Sequence, residues 1–276
     1  MATAIPTITA DLHSASGYAW IGGAYLLASA AAAPIWVKFS DIWGRKLILL
    51  VAVSSYFGSS ILCALSTSME MLIVGRAFQG AAGGGLIQLV YVTISDMFSM
   101  RFDIPYRLLY RLLMFSRSRT MYLGLMQFVW TIAGGVGPVA GGVLTEHASW
   151  PWVFWINLPI AGTAFLLLFF ALDVHNPKTT FSDGMKAVDW FGSFSMVALL
   201  SMVLLGLNFG GTIFPWSSAT VICLIVFGSL MAFFFFVSES RLAKYPIMPL
   251  DLFRHRSNVA CLVVGFTHDF VSDCAF

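Results

Sequence analysis

Charge is what this sequence has least of. Asp, Glu, Lys and Arg make up 10% of its 276 residues, against about 25% in ordinary soluble chains. Apolar residues reach 59%, so a water-soluble fold of this size could not cover itself. The net charge of +2 gives no basic footprint for nucleic acid, and no nucleic-acid partner is expected. Cysteine is scarce too: Cys63, Cys223, Cys261 and Cys274 fall in apolar runs without CxxC or Cys/His ligand spacing. They read as small hydrophobes, which excludes a disulfide scaffold and leaves no metal site or cofactor to expect. No HExxH or G-x-S-x-G motif occurs, and His13, His147, His175, His255 and His268 are scattered, so no enzyme is read here. Asn-x-Ser/Thr sequons are missing as well.

What the chain does have is long apolar runs. A helix rising about 1.5 Å per residue needs roughly 20 apolar residues to cross about 30 Å of hydrocarbon. Seven runs meet that length: Gly17 to Val37, Leu47 to Ser66, Met71 to Ser95, Met121 to Thr145, Trp152 to Leu172, Trp190 to Gly210 and Ala219 to Ser238. An eighth, incomplete run starts at Asn258. Lipid offers no partners to backbone N–H and C=O groups, and runs this long and unalternating are helices rather than barrel strands. The class is all-α, a polytopic membrane protein with the lipid bilayer as its first partner.

Basic residues orient it. Lys38, Arg45 and Lys46 lie in the first connection, and Arg101, Arg107, Arg111, Arg117 and Arg119 in the third. Lys178 and Lys186 lie in the fifth, and Arg241, Lys244, Arg254 and Arg256 in the seventh. The connections between them hold no Lys or Arg, which places the basic loops in the cytoplasm. Met1 to Ser16 then falls outside without a basic leader to carry it across, so either the first span inserts unaided or, preferably, a helix precedes it.

Three stretches carry further chemistry. The first connection reads Lys38-Phe-Ser-Asp41-Ile-Trp-Gly44-Arg45-Lys46. An acid, a glycine and two bases suit a tight turn in which the carboxylate meets a helix N-terminus or a neighbouring Arg; an ordinary positive-inside loop reads the same. The third run opens Gly75-Arg76-Ala-Phe-Gln79-Gly80 and continues to Gly83-Gly84-Gly85. An Arg inside a span costs roughly 2.5–3.5 kcal/mol and turns into a bundle interior, or snorkels when near an end. The small residues at four-residue spacing suit a close helix contact. The fourth run holds Gly134, Gly135, Gly137, Pro138, Gly141 and Gly142. Its formal dinucleotide fingerprint sits mid-membrane without a preceding strand and is rejected. A kinked, side-chain-free face remains, suited to helices that rock or that pack statically.

Together these stretches resemble the major facilitator superfamily. Asp41, Gly44, Arg45 and Lys46 are similar to its loop motif, Arg76, Gln79 and Gly80 to its helix-four motif, and Gly134, Gly137, Pro138, Gly141 and Gly142 to the helix-five motif of its antiporters. Asp11-Leu-His-Ser, Gly83 to Gln88, Phe154 to Pro159 and Asp173 to Lys178 resemble the fungal drug:proton antiporters with fourteen spans. The resemblance implies a partial facilitator bundle over 1–172, a linker with two extra helices over 173–256, and the start of the second bundle over 257–276. It implies alternating access: Asp41, Gly44, Arg45 and Lys46 as a latch, Arg76 in proton coupling with an acid on a first helix this chain lacks, and the helix-five glycines as a seal against leak. Gln79, Gln88, Gln127 and Asn208 are expected to face the cavity. The partners implied are a small hydrophobic drug or toxin and protons, and the location a plasma membrane. The alternative is a non-transporting fragment, or a gene-model error product, of such a transporter. The family passes almost directly from a stretch like Phe98 to Arg101 to one like Ser118 to Tyr122, whereas Phe102 to Arg117 intervenes here. That insert reads as a basic interfacial helix or, preferably, as a retained intron or gene-model error.

Overall fold

The computed structural model describes residues 3–14, 17–97, 108–172, 182, 184–185, 188–211, 213–242 and 253–275. The chain forms two compact units, Met1–Gly184 and Met185–Phe276. The first holds α1 (Ile5–Asp11), α2 (Gly17–Trp43), α3 (Arg45–Ala64), α4 (Met69–Met97), α5 (Leu108–His147), α6 (Trp152–Trp155) and α7 (Asn157–Ala171). The second holds α8 (Trp190–Phe209), α9 (Ala219–Val237), a π-helical turn at Ser238–Leu242 and α10 (Arg256–Ala275). No named strand occurs among the described residues; one isolated bridge joins Gly210 and Phe214.

Seven helical stretches are long and apolar enough to cross a membrane, with α6 and α7 counting as one from Trp152 to Ala171. They coincide with the seven runs read from the sequence, with two corrections at their ends. Helix α2 does not stop at Val37: it continues to Trp43, so Lys38 and Asp41 are helical and the first connection shrinks to Gly44. Backbone groups at the water end go on bonding within the helix until Gly44 breaks it at φ 94° and ψ 151°, a conformation that costs a side chain-bearing residue about 1–3 kcal/mol. The stretch from Leu108 to Arg117 is not a separate surface helix but the first turns of α5. No proline interrupts α5 before Pro138, and at 1.5 Å per residue its 40 residues extend about 60 Å, twice the hydrocarbon thickness. The remainder of the insert, 102–107, lies outside the described residues, as do Arg101, Arg107, Lys178, Lys186 and Lys244.

In the first unit α2 and α4 pack along each other, with α3 against α4 and α7. Glycine makes this possible: a Cβ at Gly80 would fall 2.2 Å from the Tyr25 carbonyl oxygen and one at Gly84 2.5 Å from that of Ser29. Polar groups of α3 are satisfied locally. Ser54 and Ser55 donate to the carbonyls of Leu50 and Val51, and Ser59 and Ser60 to that of Tyr56, as hydroxyls in lipid must. One apolar cluster gathers Ala4, Ile8, Ile21, Cys63, Leu72, Trp150 and Phe154 at the end where α1 lies. Another gathers Ile48, Leu49, Ala52 and Leu89, with Trp36 and Trp43 packed against it, towards Arg45.

The second unit is a hairpin of α8 and α9. Gly206 lets α8 approach Ile225, and Gly228 lets α9 approach Val203. The Asp189 carboxylate caps α8 by accepting the Gly192 N–H at 2.9 Å. Gly211, at φ 77°, reverses the chain under the Trp216 ring.

Candidate functional site

Two constellations in the first unit contain the charged residues singled out by the sequence. The first surrounds Arg76, in the second turn of α4. Lipid and packed helices cannot solvate a guanidinium, so its donors must find acceptors in the protein. Arg76 Nε donates to the Ile21 carbonyl on α2 at 3.2 Å, and Nη1 donates to Gln79 Oε1 at 2.6 Å. Gln79 in turn donates through Nε2 to Ser60 Oγ on α3 at 2.9 Å. The guanidinium lies over the Tyr25 ring, 4.2 Å from its centroid. Arg76 is 8% exposed and Gln79 1%, so the arginine turns inward and does not snorkel. Its acceptors here are neutral: a backbone carbonyl, an amide oxygen and an aromatic face.

This arrangement revises one expectation. Gln79 does not line an open cavity; it is locked between Arg76 and Ser60, because a buried amide is costly unless both its ends are paired. Gly80 serves the same contact from the next turn of α4. Gln88 and Gln127 are exposed, and Gln127 Nε2 donates to the Tyr91 hydroxyl at 3.4 Å. Asn208 is exposed on α8 in the second unit.

The second constellation centres on Arg45, the first residue of α3. Its Nη2 meets Asp41 Oδ1 at 2.5 Å and its Nε meets Asp96 Oδ2, at the end of α4, at 2.8 Å. Nη1 also donates to Ser40 Oγ, and Ser40 donates to the Val37 carbonyl at 2.7 Å. The planar fork of arginine thus ties the ends of α2, α3 and α4 together, which a lysine could not do. Gly44 makes the turn that brings Asp41 and Arg45 face to face. Lys46 stands apart, its Nζ 5.9 Å from the centroid of Phe169 on α7.

The helix-five motif behaves differently. A Cβ at Gly134, Gly135, Gly137 or Gly142 would meet nothing within 4 Å, and Pro138 is exposed. At these four glycines the close contact expected is not made by the described residues of this chain. Gly141 is buried, and the Pro138 carbonyl accepts from Thr3 Oγ1 at 3.4 Å.

Sequence reasoning did not find Tyr25, Ser60, Ser40 or Asp96. Asp96 had a signal, an acid at the water end of a span whose antiparallel neighbour opens with Arg45. Tyr25 and Ser60 had none, since an aromatic or a serine in a span ordinarily reads as packing. Among the described residues no group of three or more His, Cys, Asp or Glu is placed to hold a metal ion.

A family model described as Major Facilitator Superfamily matches residues 1–253. The chain is 46% identical to the efflux pump dotC of Dothistroma septosporum over 273 residues, 99% of this chain and 44% of that protein. It is 41% identical to the MFS-type transporter ppz2 of Metarhizium majus over 97% of this chain and 44% of that protein. It is 39% identical to the efflux pump FUS6 of Gibberella fujikuroi over 97% of this chain and 46% of that protein. The chain therefore spans less than half the length of these curated relatives.

Proposed function

The chain belongs to the major facilitator superfamily, an integral multi-pass membrane protein of a transporter family and not an enzyme, and from that premise we propose that it serves proton-driven efflux of hydrophobic drugs or toxins by alternating access. The observation that carries the reading is Arg76. A cation held inside a helical bundle by neutral groups is poised to respond to an acid that gains or loses a proton nearby, which is how a proton gradient is coupled to a rocking bundle. Residues 1–172 supply the first bundle, 173–256 the linker with its two extra helices, and 257–276 the beginning of the second bundle. Asp41, Gly44, Arg45 and Lys46 latch the cytoplasmic end, Gln79 and Gly80 hold Arg76 in place, and Gly134, Gly137, Pro138, Gly141 and Gly142 offer the surface against which the second bundle seals. Gln88 and Gln127 are the exposed polar groups of the first unit assigned to face a cavity, and Asn208 is an exposed polar group of the second unit. The basic loops lie in the cytoplasm and the membrane is the plasma membrane. Names of the relatives as efflux pumps support the outward direction.

The test is drug accumulation in a transporter-deficient yeast strain expressing a full-length form that contains this sequence. Accumulation should fall, and a protonophore or Arg76→Ala should restore it; export that survives Arg76→Ala would remove Arg76 from the coupling step. A second reading is favoured by the coverage of the relatives: the 276 residues alone form a membrane module that does not transport. Proton-coupled uptake by proteoliposomes containing this chain alone would refute it.

A further inference from the structure

The hydrogen bond between Asp11 and Trp150 joins residues 139 positions apart, with Trp150 Nε1 donating to Asp11 Oδ2 at 2.9 Å. Asp11 ends α1, and Trp150 sits in the turn between α5 and α6. Ala4 and Ile8 from the α1 end and Phe154 from α6 are buried in one cluster with Trp150, and α6 runs on into α7 as one span. The Trp150 ring is 6% exposed and meets Phe154 edge-on at 6.4 Å between centroids. Beneath the two segments lie Ile21, Cys63 and Leu72, all fully buried. That layer adjoins the Arg76 site. Ile21 supplies the carbonyl that Arg76 binds, Leu72 lies one turn before Arg76 on α4, and a Cβ at Gly75 would fall 2.7 Å from Cys63 Sγ.

We propose that the Asp11–Trp150 hydrogen bond is a latch that holds α1 and the α5–α6 turn closed over this layer, keeping water away from Arg76 at the end opposite Arg45. A guanidinium whose acceptors are neutral keeps its interactions strong only while water is excluded. A carboxylate-to-indole hydrogen bond between two segments this far apart in the sequence sets how often they part. The use of this latch in transport rests on the function proposed above; its geometry and its test do not.

Cys63 is a ready reporter, since it is buried directly under the latch. With Cys223, Cys261 and Cys274 replaced by Ser, a charged methanethiosulfonate reagent applied to both faces of membrane vesicles reads water access to Cys63. Trp150→Phe and Asp11→Ala should each raise the labelling rate about tenfold, the effect expected for loss of a hydrogen bond to a charged group, and Asp11→Asn, which keeps an acceptor, should fall between them and the parent. A second reporter, Ala52→Cys in the cluster towards Arg45, should stay as slow as before. Unchanged Cys63 labelling in both variants overturns the latch. So does a rise in Trp150→Phe alone, which would assign the effect to ring packing, and so does an equal rise at position 52, which would mean general loosening.

Discussion

The Arg76 guanidinium stacks 4.2 Å from the centroid of the Tyr25 ring, while Gly80, one turn further along α4, brings the helix onto the Tyr25 backbone itself. One residue of α2 therefore supplies both the aromatic face for the cation and the wall that fixes its distance. The ring quadrupole attracts a cation, and away from water the attraction is worth about 2 kcal/mol. Tyr25→Leu should therefore lower thermal stability in detergent by that amount, whereas Tyr25→Phe, which keeps the ring, should lie within about 0.5 kcal/mol of the parent. Equal losses in the two variants would show that the hydroxyl, and not the ring, holds Arg76.

Ser60 makes a sharper prediction because its loss strands a partner. Gln79 donates to Ser60 Oγ at 2.9 Å and is 1% exposed, so Ser60→Ala leaves a buried amide N–H without an acceptor. Such a group costs about 1–3 kcal/mol. Ser54 also bonds a carbonyl of its own helix, at 2.8 Å, but is exposed and supports no second residue. Ser54→Ala should be nearly neutral in the same melting experiment, and comparable losses at both positions would mean that the Arg76–Gln79–Ser60 chain contributes nothing beyond local helix bonding.

How far the sequence reaches is visible in these residues. The seven spans and Arg76 were legible because hydropathy and charge are local properties, set by each residue's cost in lipid. The partners of Arg76 were not. Which face of α3 meets α4 depends on how glycines let the helices approach, and Ser60 looks like Ser59, Ser54 or Ser55 until that rotation is known. The same applies to Asp96, which meets Arg45 from 51 positions away. The boundary of α2 was misplaced because a charged residue at the water end of a helix does not end it. Gly44 does, and its role is conformational, not hydrophobic.

At the Arg45 end the network has one largely buried cation and two half-exposed acids: side-chain exposure is 14% for Arg45, 49% for Asp41 and 46% for Asp96. Pairs this open are screened by water and salt, and a coupling of about 0.2–1 kcal/mol is expected for Arg45 with Asp96 in a double-mutant cycle using Arg45→Gln and Asp96→Asn. Raising the salt from 0.05 to about 1 M should remove most of it. Gly44→Ala should cost more than either, about 1–3 kcal/mol and independent of salt, because the penalty is in the backbone. A Gly44→Ala loss that fades with salt would place its effect in the ion pairs.

The two glycine motifs make opposite predictions, although in the sequence they look alike. A methyl group at Gly80 would sit 2.2 Å from the Tyr25 carbonyl oxygen, and backbone cannot rotate out of the way as a side chain does. Helix α4 must then move from α2, and overpacking of this kind costs about 1–3 kcal/mol while also pulling Arg76 off the Tyr25 ring. A methyl group at Gly137 would meet nothing within 4 Å in this chain. Replacing glycine by alanine inside a helix is by itself favourable by up to about 1 kcal/mol, so Gly137→Ala should leave the 276-residue chain as stable as before or slightly more so. If a longer form closes a second bundle over that face, the same substitution should become destabilising there and only there. Melting both variants in both chain lengths separates the cases: Gly80→Ala should lose stability in each, Gly137→Ala only in the longer one, and a loss for Gly137→Ala in the short chain would mean that its α5 face is already covered.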